Sequence, residues 1–407
     1  MYSLHLSAEQ SEIRDTVRDF VTAVIKPVVL NADRLDAGDR TLPMHLLDRA
    51  SQLGLRTLAL AEEHGGSGAD WLTACMVVEE LAAGDADIAA VLGETSRLAH
   101  ILFDQAMTEA QCEAFLPGFL ADDRCHLAFA GHEPDEDTRL GVNYHRPVAI
   151  GRTLRTVARA SGDSLVVNGV KGCVANAPLA KLFAVEVGTP DGPRVVLVPA
   201  PTPGLTVRAN ANAWHHGPCG TLELADCRVP LQNLLPDHAG ALLAPEPFGR
   251  GSPLSQAINL GIGRAAYEAA LDYTRLRVQG GRPIVEHQAI AEKLANMAIR
   301  LDVARSAVWR AAWAADHPQA YADRSLPHLP LQTIAQVFTA EAIVTVCKDA
   351  AECFGAMGVM RDMPLQKYLH DARVCLHGGD GATEARLRIA EALVGFRHPP
   401  IDAVAAE

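Results

Sequence analysis

Residues 164–170 read Ser164-Leu165-Val166-Val167-Asn168-Gly169-Val170, a β-branched run carrying an Asn-Gly pair. Asn-Gly supplies the positive φ angles of a tight hairpin turn, so the stretch reads as a turn beside a strand. It sits within residues 122–235, where glycine and proline recur. Arg194 to Val198, Leu205 to Arg208 and Thr221 to Val229 form further short apolar runs that read as strands. No helix of convincing length separates them. The expectation is therefore an antiparallel sheet or barrel rather than βαβ units.

Working outward, both flanks read as helical. Ser7-Ala8-Glu9-Gln10 is a capping box, in which the Ser oxygen accepts from a free backbone N–H and the Gln reaches back. Ile13, Val17, Phe20 and Val24 follow at helical spacing. A glycine-rich break at Glu63-His64-Gly65-Gly66-Ser67-Gly68 is followed by a helix over Leu72–Ala83, and Thr108-Glu109-Ala110-Gln111 caps another. On the other side, Ile290, Leu294, Met297, Leu301, Ala304 and Val308 alternate +4 and +3, the apolar seam of a helix bundle. Trp309 and Trp313, near its end, read as packing residues. The chain thus divides into a helical domain (1–121), a β domain (122–240) and a helical bundle (241–407), an α+β architecture.

Composition narrows the function. The 407 residues are 49% hydrophobic and 21% charged, which is globular rather than disordered. Lys and Arg total 36 against 49 Asp and Glu, a formal charge of −13 that disfavours nucleic acid and anionic lipid surfaces. A local basic pocket for a phosphorylated ligand remains compatible with that sum. No apolar run is long enough to cross a membrane, and the first residues lack a signal-peptide pattern, so a cytoplasmic location is expected. The nine cysteines include no CxxC pair and the sixteen histidines no HExxH, so reduced cysteines and no metal centre are expected.

Several segments, in order along nearly the whole chain, resemble the acyl-CoA dehydrogenase family. Glu62-Glu63-His64-Gly65-Gly66-Ser67-Gly68 is similar to its "PEEyGGsG", and Glu133-Pro134 to its "TEP". Asn168-Gly169-Val170-Lys171 is similar to "lNGtK", and Thr221 through Pro230 to "eltFddvrVP". Arg277-Val278-Gln279 with Gly281-Arg282-Pro283-Ile284 resembles "eRkqFGkpI", followed by Gln288. Phe354-Gly355-Ala356-Met357-Gly358 resembles "lGGyGy", and Pro364 through Arg373 "PvekyyRDaR".

The resemblance implies an N-terminal helical domain, a β-barrel domain and a C-terminal four-helix bundle, with FAD between the β domain and the bundle, in a homotetramer; a homodimer and a hetero-oligomer are the alternatives. It implies that Arg277, Gln288, Gly355 and Gly358 hold the diphosphate and adenosine. Bottom-up, a guanidinium clamps phosphate bidentately, and glycines let backbone N–H groups approach it. Solvated Arg277 and Gln288, and a plain helix-ending turn at the glycines, are the competing readings. Phe129, His132, Cys173 and Ala175 fall where the family surrounds the flavin ring, and Thr383 and Glu384 where it continues past the base. Gly261-Ile262-Gly263 is no dinucleotide fingerprint, because no strand precedes it.

The family chemistry removes an α-proton from an acyl thioester with a carboxylate while the β-hydride passes to flavin N5. The thioester carbonyl has to be polarised for so weak a carbon acid to yield. Aligned without a gap from Asp371-Ala372-Arg373, the family's "YEGTnE" places Gly379 at the base position, which leaves no base. One extra residue aligns Asp380-Gly381-Ala382-Thr383-Glu384 and makes Asp380 the base. The competing reading of Asp380 is a helix N-cap. The base position of the isovaleryl-type branch falls near Ser255, and residues 251–264 contain no carboxylate.

This chain also departs from the family pattern. Cys173 replaces a Trp, Ala175 a hydroxyl residue, His132 a Thr and Gly280 a Phe. The acidic run Glu133 to Asp137 would repel the phosphates of CoA if it lined their path. The expected activity is FAD-dependent dehydrogenation of an acyl thioester, carried on CoA or an acyl carrier protein, with a non-standard acyl group and an unidentified electron acceptor. A related flavoenzyme (oxidase, monooxygenase or desulfinase-like) and a non-catalytic subunit keeping the fold are the alternatives.

Overall fold

The computed structural model describes residues 5–35, 40–134, 154–210, 215–243, 253–317, 330–377, 385–386, 389–390 and 393. The chain forms two compact units, one of Met1–Leu46, Asp70–Ala90 and Gly251–Arg386, the other of Leu47–Ala69, Val91–Arg250 and Leu387–Glu407.

The first unit is helical. Helix α1 (Ala8–Phe20) opens with the Ser7/Gln10 capping box as expected. A π-helical turn over Val21–Ile25 leads into α2 (Lys26–Val29). That wider turn changes the buried row. Val17, Val21, Ile25 and Val29 are buried, four residues apart, whereas Phe20 and Val24 are only half-buried. Next along the chain come α3 (Met44–Gln52), which belongs to the second unit from Leu47 on, and α4 (Trp71–Ala82) of the first, with Asp70 capping α4 by accepting from the Thr73 N–H at 2.8 Å.

Further along the chain lie α5 (Ala86–Ala99) and α6 (Glu109–Ala121), the latter opening on the expected Thr108/Gln111 capping box. In the second unit, residues 91–99 of α5, the π-helical segment His100–Ala106 and α6 cover one face of a seven-stranded sheet. Its strands are β1 (His126–Ala130), β2 (Val157–Ser161), β3 (Ser164–Ala175), β4 (Ala180–Thr189), β5 (Gly192–Pro199), β6 (Leu205–Ala209) and β7 (Cys219–Pro230). A short helix α7 (Ala239–Leu243) follows.

The order is β1-β4-β2-β3-β7-β6, with β5 on the far edge of β4. The sheet is mixed, not wholly antiparallel, because β4 runs parallel to both β1 and β2. The chain between β1 and β4 is long enough for a parallel return and includes the β2–β3 hairpin. Alternating residues serve two cores. Leu127, Leu182, Ala184, Val195 and Leu197 face the helices, whereas Ala128, Ala130, Phe183, Val185, Val196 and Val198 pack with Val167, Leu222 and Leu224 inside the curled sheet.

The Asn168-Gly169 pair makes no turn. It lies inside β3, at a shift of register against β7 between Val167 and Gly169. Gly169 has φ 146°, and a Cβ there would lie 2.5 Å from Thr156 Cα. Asn168 pairs its side chain with Asp226, itself at φ 48°. The pair therefore lies opposite a β-bulge in β7, where Ala225 and Asp226 together face Asn168. The true β2–β3 turn is at Gly162 (φ 61°).

Returning to the first unit, α8 (Pro253–Leu276), α9 (Gln288–Asp316), α10 (Leu331–Cys353) and α11 (Leu365–His377) pack together as the expected four-helix arrangement. A two-stranded hairpin, β8 (Val278–Gln279) and β9 (Arg282–Pro283), links α8 to α9. In the α9 seam Leu294, Met297, Leu301, Ala304 and Val308 are buried and Ile290 is half-buried. Glycines bring the helices close. A Cβ on Gly261 would lie 2.4 Å from the Glu79 carbonyl oxygen of α4, and one on Gly263 2.5 Å from Ile343 of α10. Buried Glu79 and Glu80 on α4 are neutralised by Arg305, Arg264 and Arg18 at 2.6–2.7 Å.

Candidate active site

Within the second unit, four expected site residues flank the junction between the end of β1 and the end of β3. The Gly172 N–H donates to the His132 carbonyl at 3.0 Å and ties the two strand ends together. Beneath this link Lys171, fully buried, donates to Glu133 at 3.3 Å and to the Gly131 carbonyl at 3.3 Å. The Glu133 carboxylate also accepts from the N–H groups of Thr156 (2.8 Å) and Arg155 (3.0 Å). Burial alone would raise its pKa. The Thr156 and Arg155 donors, then the Lys171 charge, overcome that and hold it at about 2. Glu133 thus contributes no free negative charge to the surface. The described part of the acidic run does not oppose an anionic ligand, and residues 135–137 lie outside the described residues.

Beyond this lock the strand turns. Cys173 has φ 52° and is exposed, Val174 points into the sheet core, and Ala175 is half-exposed. Asn176 then anchors the end. It is buried, at φ 62°, and its Nδ2 donates to the carbonyls of Val91 (3.2 Å) and Leu127 (3.4 Å) and to Thr95 Oγ1 (3.3 Å). Its N–H donates to the Pro218 carbonyl at 2.8 Å. Asn tolerates a left-handed backbone better than most residues, so it suits this position. Phe129 is half-buried and His132 exposed. The surrounding protein, and after it the imidazoles of His216 and His132, lower the pKa of His215.

In the first unit, Arg277 and the glycine turn are brought to one end of the bundle. Tyr273, one helical turn before Arg277, stacks on Phe354, with ring centroids 4.0 Å apart, and Phe354 immediately precedes Gly355. Gly355 is left-handed (φ 59°), and a Cβ on Gly358 would lie 2.2 Å from the Ala351 carbonyl oxygen. Arg277 is exposed and has no carboxylate partner among the described residues. An uncommitted guanidinium beside a glycine turn is a donor set that fits a diphosphate. Gln288, the first residue of α9, is exposed and gives its Nε2 to Glu292 at 2.8 Å.

Asp380, Thr383 and Glu384 lie outside the described residues, as does Gly379. On α8, Ser255 accepts from Gln256 Nε2 at 2.9 Å. The sequence reading passed over Asn259, one turn further on. It is 1% exposed, and among the described residues neither amide atom has a hydrogen-bond partner. A carboxamide within the apolar stretch 257–263 of the helix was the available signal. It also passed over the Glu133–Lys171 pair and the role of Asn176, whose partners are 38 and up to 85 residues away.

Comparison with known proteins agrees with this layout. Residues 7–123 match the acyl-CoA dehydrogenase N-terminal domain, and residues 238–394 the acyl-CoA dehydrogenase C-terminal domain. The chain is 30% identical over 404 residues to the probable acyl-CoA dehydrogenase YngJ of Bacillus subtilis, covering 96% of this chain and 100% of that one. It is 29% identical over 382 residues to the human mitochondrial short-chain specific acyl-CoA dehydrogenase, covering 91% and 87%. The butyryl-CoA dehydrogenase structure from Megasphaera elsdenii superposes with a TM-score of 0.81 at 26% identity, covering 97% and 100%. The chain belongs to the acyl-CoA dehydrogenase family, FAD-using oxidoreductases that act on CH–CH groups, and is a divergent member of it. Among the described residues no helix is long and apolar enough to cross a membrane.

Proposed function

We propose that this protein introduces an α,β double bond into an acyl thioester, with Asp380 as the base. The observation that carries the reading is the end of the β domain. The Gly172–His132 bond, the Glu133–Lys171 lock and the Asn176 anchor hold Cys173 exposed and Ala175 half-exposed on a fixed frame. Phe129, His132, Cys173 and Ala175 would flank the flavin ring. Arg277, Gln288, Gly355, Gly358, Thr383 and Glu384 would hold the remainder of the dinucleotide. When bound, FAD supplies the acceptor for the hydride leaving the β-carbon.

The protein's own part is to hold the thioester and take the α-proton onto a carboxylate oxygen of Asp380. Aspartate is one methylene shorter than glutamate, and Cys173 is far smaller than tryptophan. Both leave room for a branched, cyclic or functionalised acyl group. The buried Asn259 amide, without a partner among the described residues, supports a ligand with a polar group near α8, since an unmet buried carboxamide costs about 1–3 kcal/mol. Because Glu133 is neutralised, CoA is the first carrier to test, with an acyl carrier protein next. We further propose a cytoplasmic homotetramer and the division at residues 121 and 240.

Asp380→Asn should keep its bound flavin and lose flavin reduction by substrate. Undiminished reduction in that variant would remove Asp380 as the base. The half-exposed Ala175, lacking a hydroxyl, favours one second reading, a flavoenzyme of different chemistry. Rapid reoxidation of the reduced flavin in air would support that reading, and persistence of the reduced form would support the dehydrogenase.

A further inference from the structure

The second unit carries a pair of thiols that the dehydrogenation does not use. Strands β3 and β7 are antiparallel, with Val174 opposite Gly220 and Ala175 opposite Cys219. The register shifts between Lys171 and Val174, so Cys173 sits in the irregular stretch of β3, at φ 52°, diagonal to Cys219. The Cys219 thiol feels Cys173 as an ionisable neighbour. They differ in access, since Cys173 is exposed and Cys219 is buried. The other face of Cys219 is held by Asn210, whose Nδ2 approaches Sγ at 3.9 Å and whose N–H donates to the Cys219 carbonyl at 2.9 Å.

We propose that Cys173 and Cys219 form a two-thiol oxidation site that reacts with a peroxide and closes reversibly to a disulfide. Cys173 is the attacked residue because it is the accessible one. Its sulfur takes one oxygen from hydrogen peroxide. The O–O bond breaks, one water leaves, and Cys173 becomes a sulfenic acid. The Cys219 sulfur then attacks the Cys173 sulfur, the S–O bond breaks, and a second water leaves as the S–S bond forms. Together the thiols lose two electrons and two protons, and the peroxide is reduced to two waters. Burial, and after it the neighbouring Cys173, push the Cys219 thiol up to about 11, so closure should be slow at neutral pH. A dithiol reductant reverses the step.

The proposal's consequence rests on the reading of Cys173 as a flavin-flanking residue. A disulfide there would pull that side chain toward β7 and fix the exposed end of β3. Substrate-driven flavin reduction should therefore slow in the oxidised protein and recover with dithiothreitol.

The test treats the purified full-length protein with hydrogen peroxide and counts thiols after denaturation. Titratable thiols should fall from nine to seven, and a peptide map should join the peptides of Cys173 and Cys219. Cys219→Ser should prevent the linkage. An unchanged thiol count, a linkage between other cysteines, or Cys173 recovered as sulfinic acid with Cys219 free would overturn the proposal. If Cys219→Ser does not fold, the wild-type peptide map alone decides. The map does not depend on flavin content. A protein without flavin would defeat the dehydrogenase reading and leave the thiol result standing. A mapped disulfide that leaves flavin reduction unchanged would refute the coupling to the active site.

Discussion

Replacing Glu133 with Gln removes one half of a buried ion pair and leaves the other half in place. Lys171 has a fully buried side chain and also donates to the Gly131 carbonyl at 3.3 Å. The Gln amide would also turn an N–H donor toward the N–H groups of Arg155 and Thr156, which now donate to the carboxylate. Removing one partner of a buried pair costs about 3–5 kcal/mol, because the surviving charge is left uncompensated. At about 2–4 °C per kcal/mol for a domain of this size, the melting temperature should fall by roughly 6–20 °C. The double variant Glu133→Gln with Lys171→Met removes both charges and should recover most of the loss.

The pH dependence follows from the same pair. The carboxyl titrates at 4.5 when free and is held at about 2 in the folded protein. Its stabilisation is therefore complete above the free value and is lost as pH falls toward about 2. Thermal melts of wild type and both variants, followed by circular dichroism from neutral to acidic pH, would measure all of this. A drop of less than about 2 °C for Glu133→Gln, or a double variant no more stable than the single one, would refute the reasoning.

Three further outcomes are expected. Arg277→Ala should weaken FAD retention roughly 10–100-fold, the loss of one charge-assisted phosphate contact at about 1.5–3 kcal/mol, measured by flavin release on dilution. Gly358→Ala should cost about 1–3 kcal/mol and lower flavin content, because its Cβ would lie 2.2 Å from the Ala351 carbonyl oxygen, and denaturant unfolding would read it. Burial, and after it the charge of Asp70, raise the Asp316 carboxyl from 3.8 to about 6. Its contribution to stability is present below the free value and lost as pH rises through about 6, so Asp316→Asn should raise the melting temperature at pH 8 and leave it unchanged at pH 3.

Much of the architecture was legible because it rests on short-range patterns. The capping boxes at Ser7 and Thr108, the α9 seam and the strands at 192–199, 205–209 and 219–230 each follow from residues within a few positions of one another. The parallel pairing of β1 with β4 was not legible, since the stretch between them includes the β2–β3 hairpin and reads as a succession of neighbouring antiparallel strands. Asn168-Gly169 misled for a related reason. The same freedom of φ serves a turn or a bulge, and only the pairing with Asp226 and β7 distinguishes them.

At the candidate site, the residue types and order came through family resemblance, whereas the supporting frame did not. Glu133 looked like the start of a repulsive acidic run because its partner Lys171 is distant in sequence. Asn176, next to Ala175, gave no signal of its own, although its three side-chain bonds reach α5 and β1. Long-range hydrogen bonds leave no periodic trace in a chain, so such roles emerge only from the folded geometry.

The central claim is most directly tested by mixing the purified protein anaerobically with butyryl-CoA and with a branched acyl-CoA, while recording the visible flavin band and the mass of the thioester. The account predicts bleaching of the band, matched by a product two hydrogens lighter than the substrate, for at least one of the two. A protein that carries flavin and is bleached by neither, or one that binds no flavin at all, would contradict it.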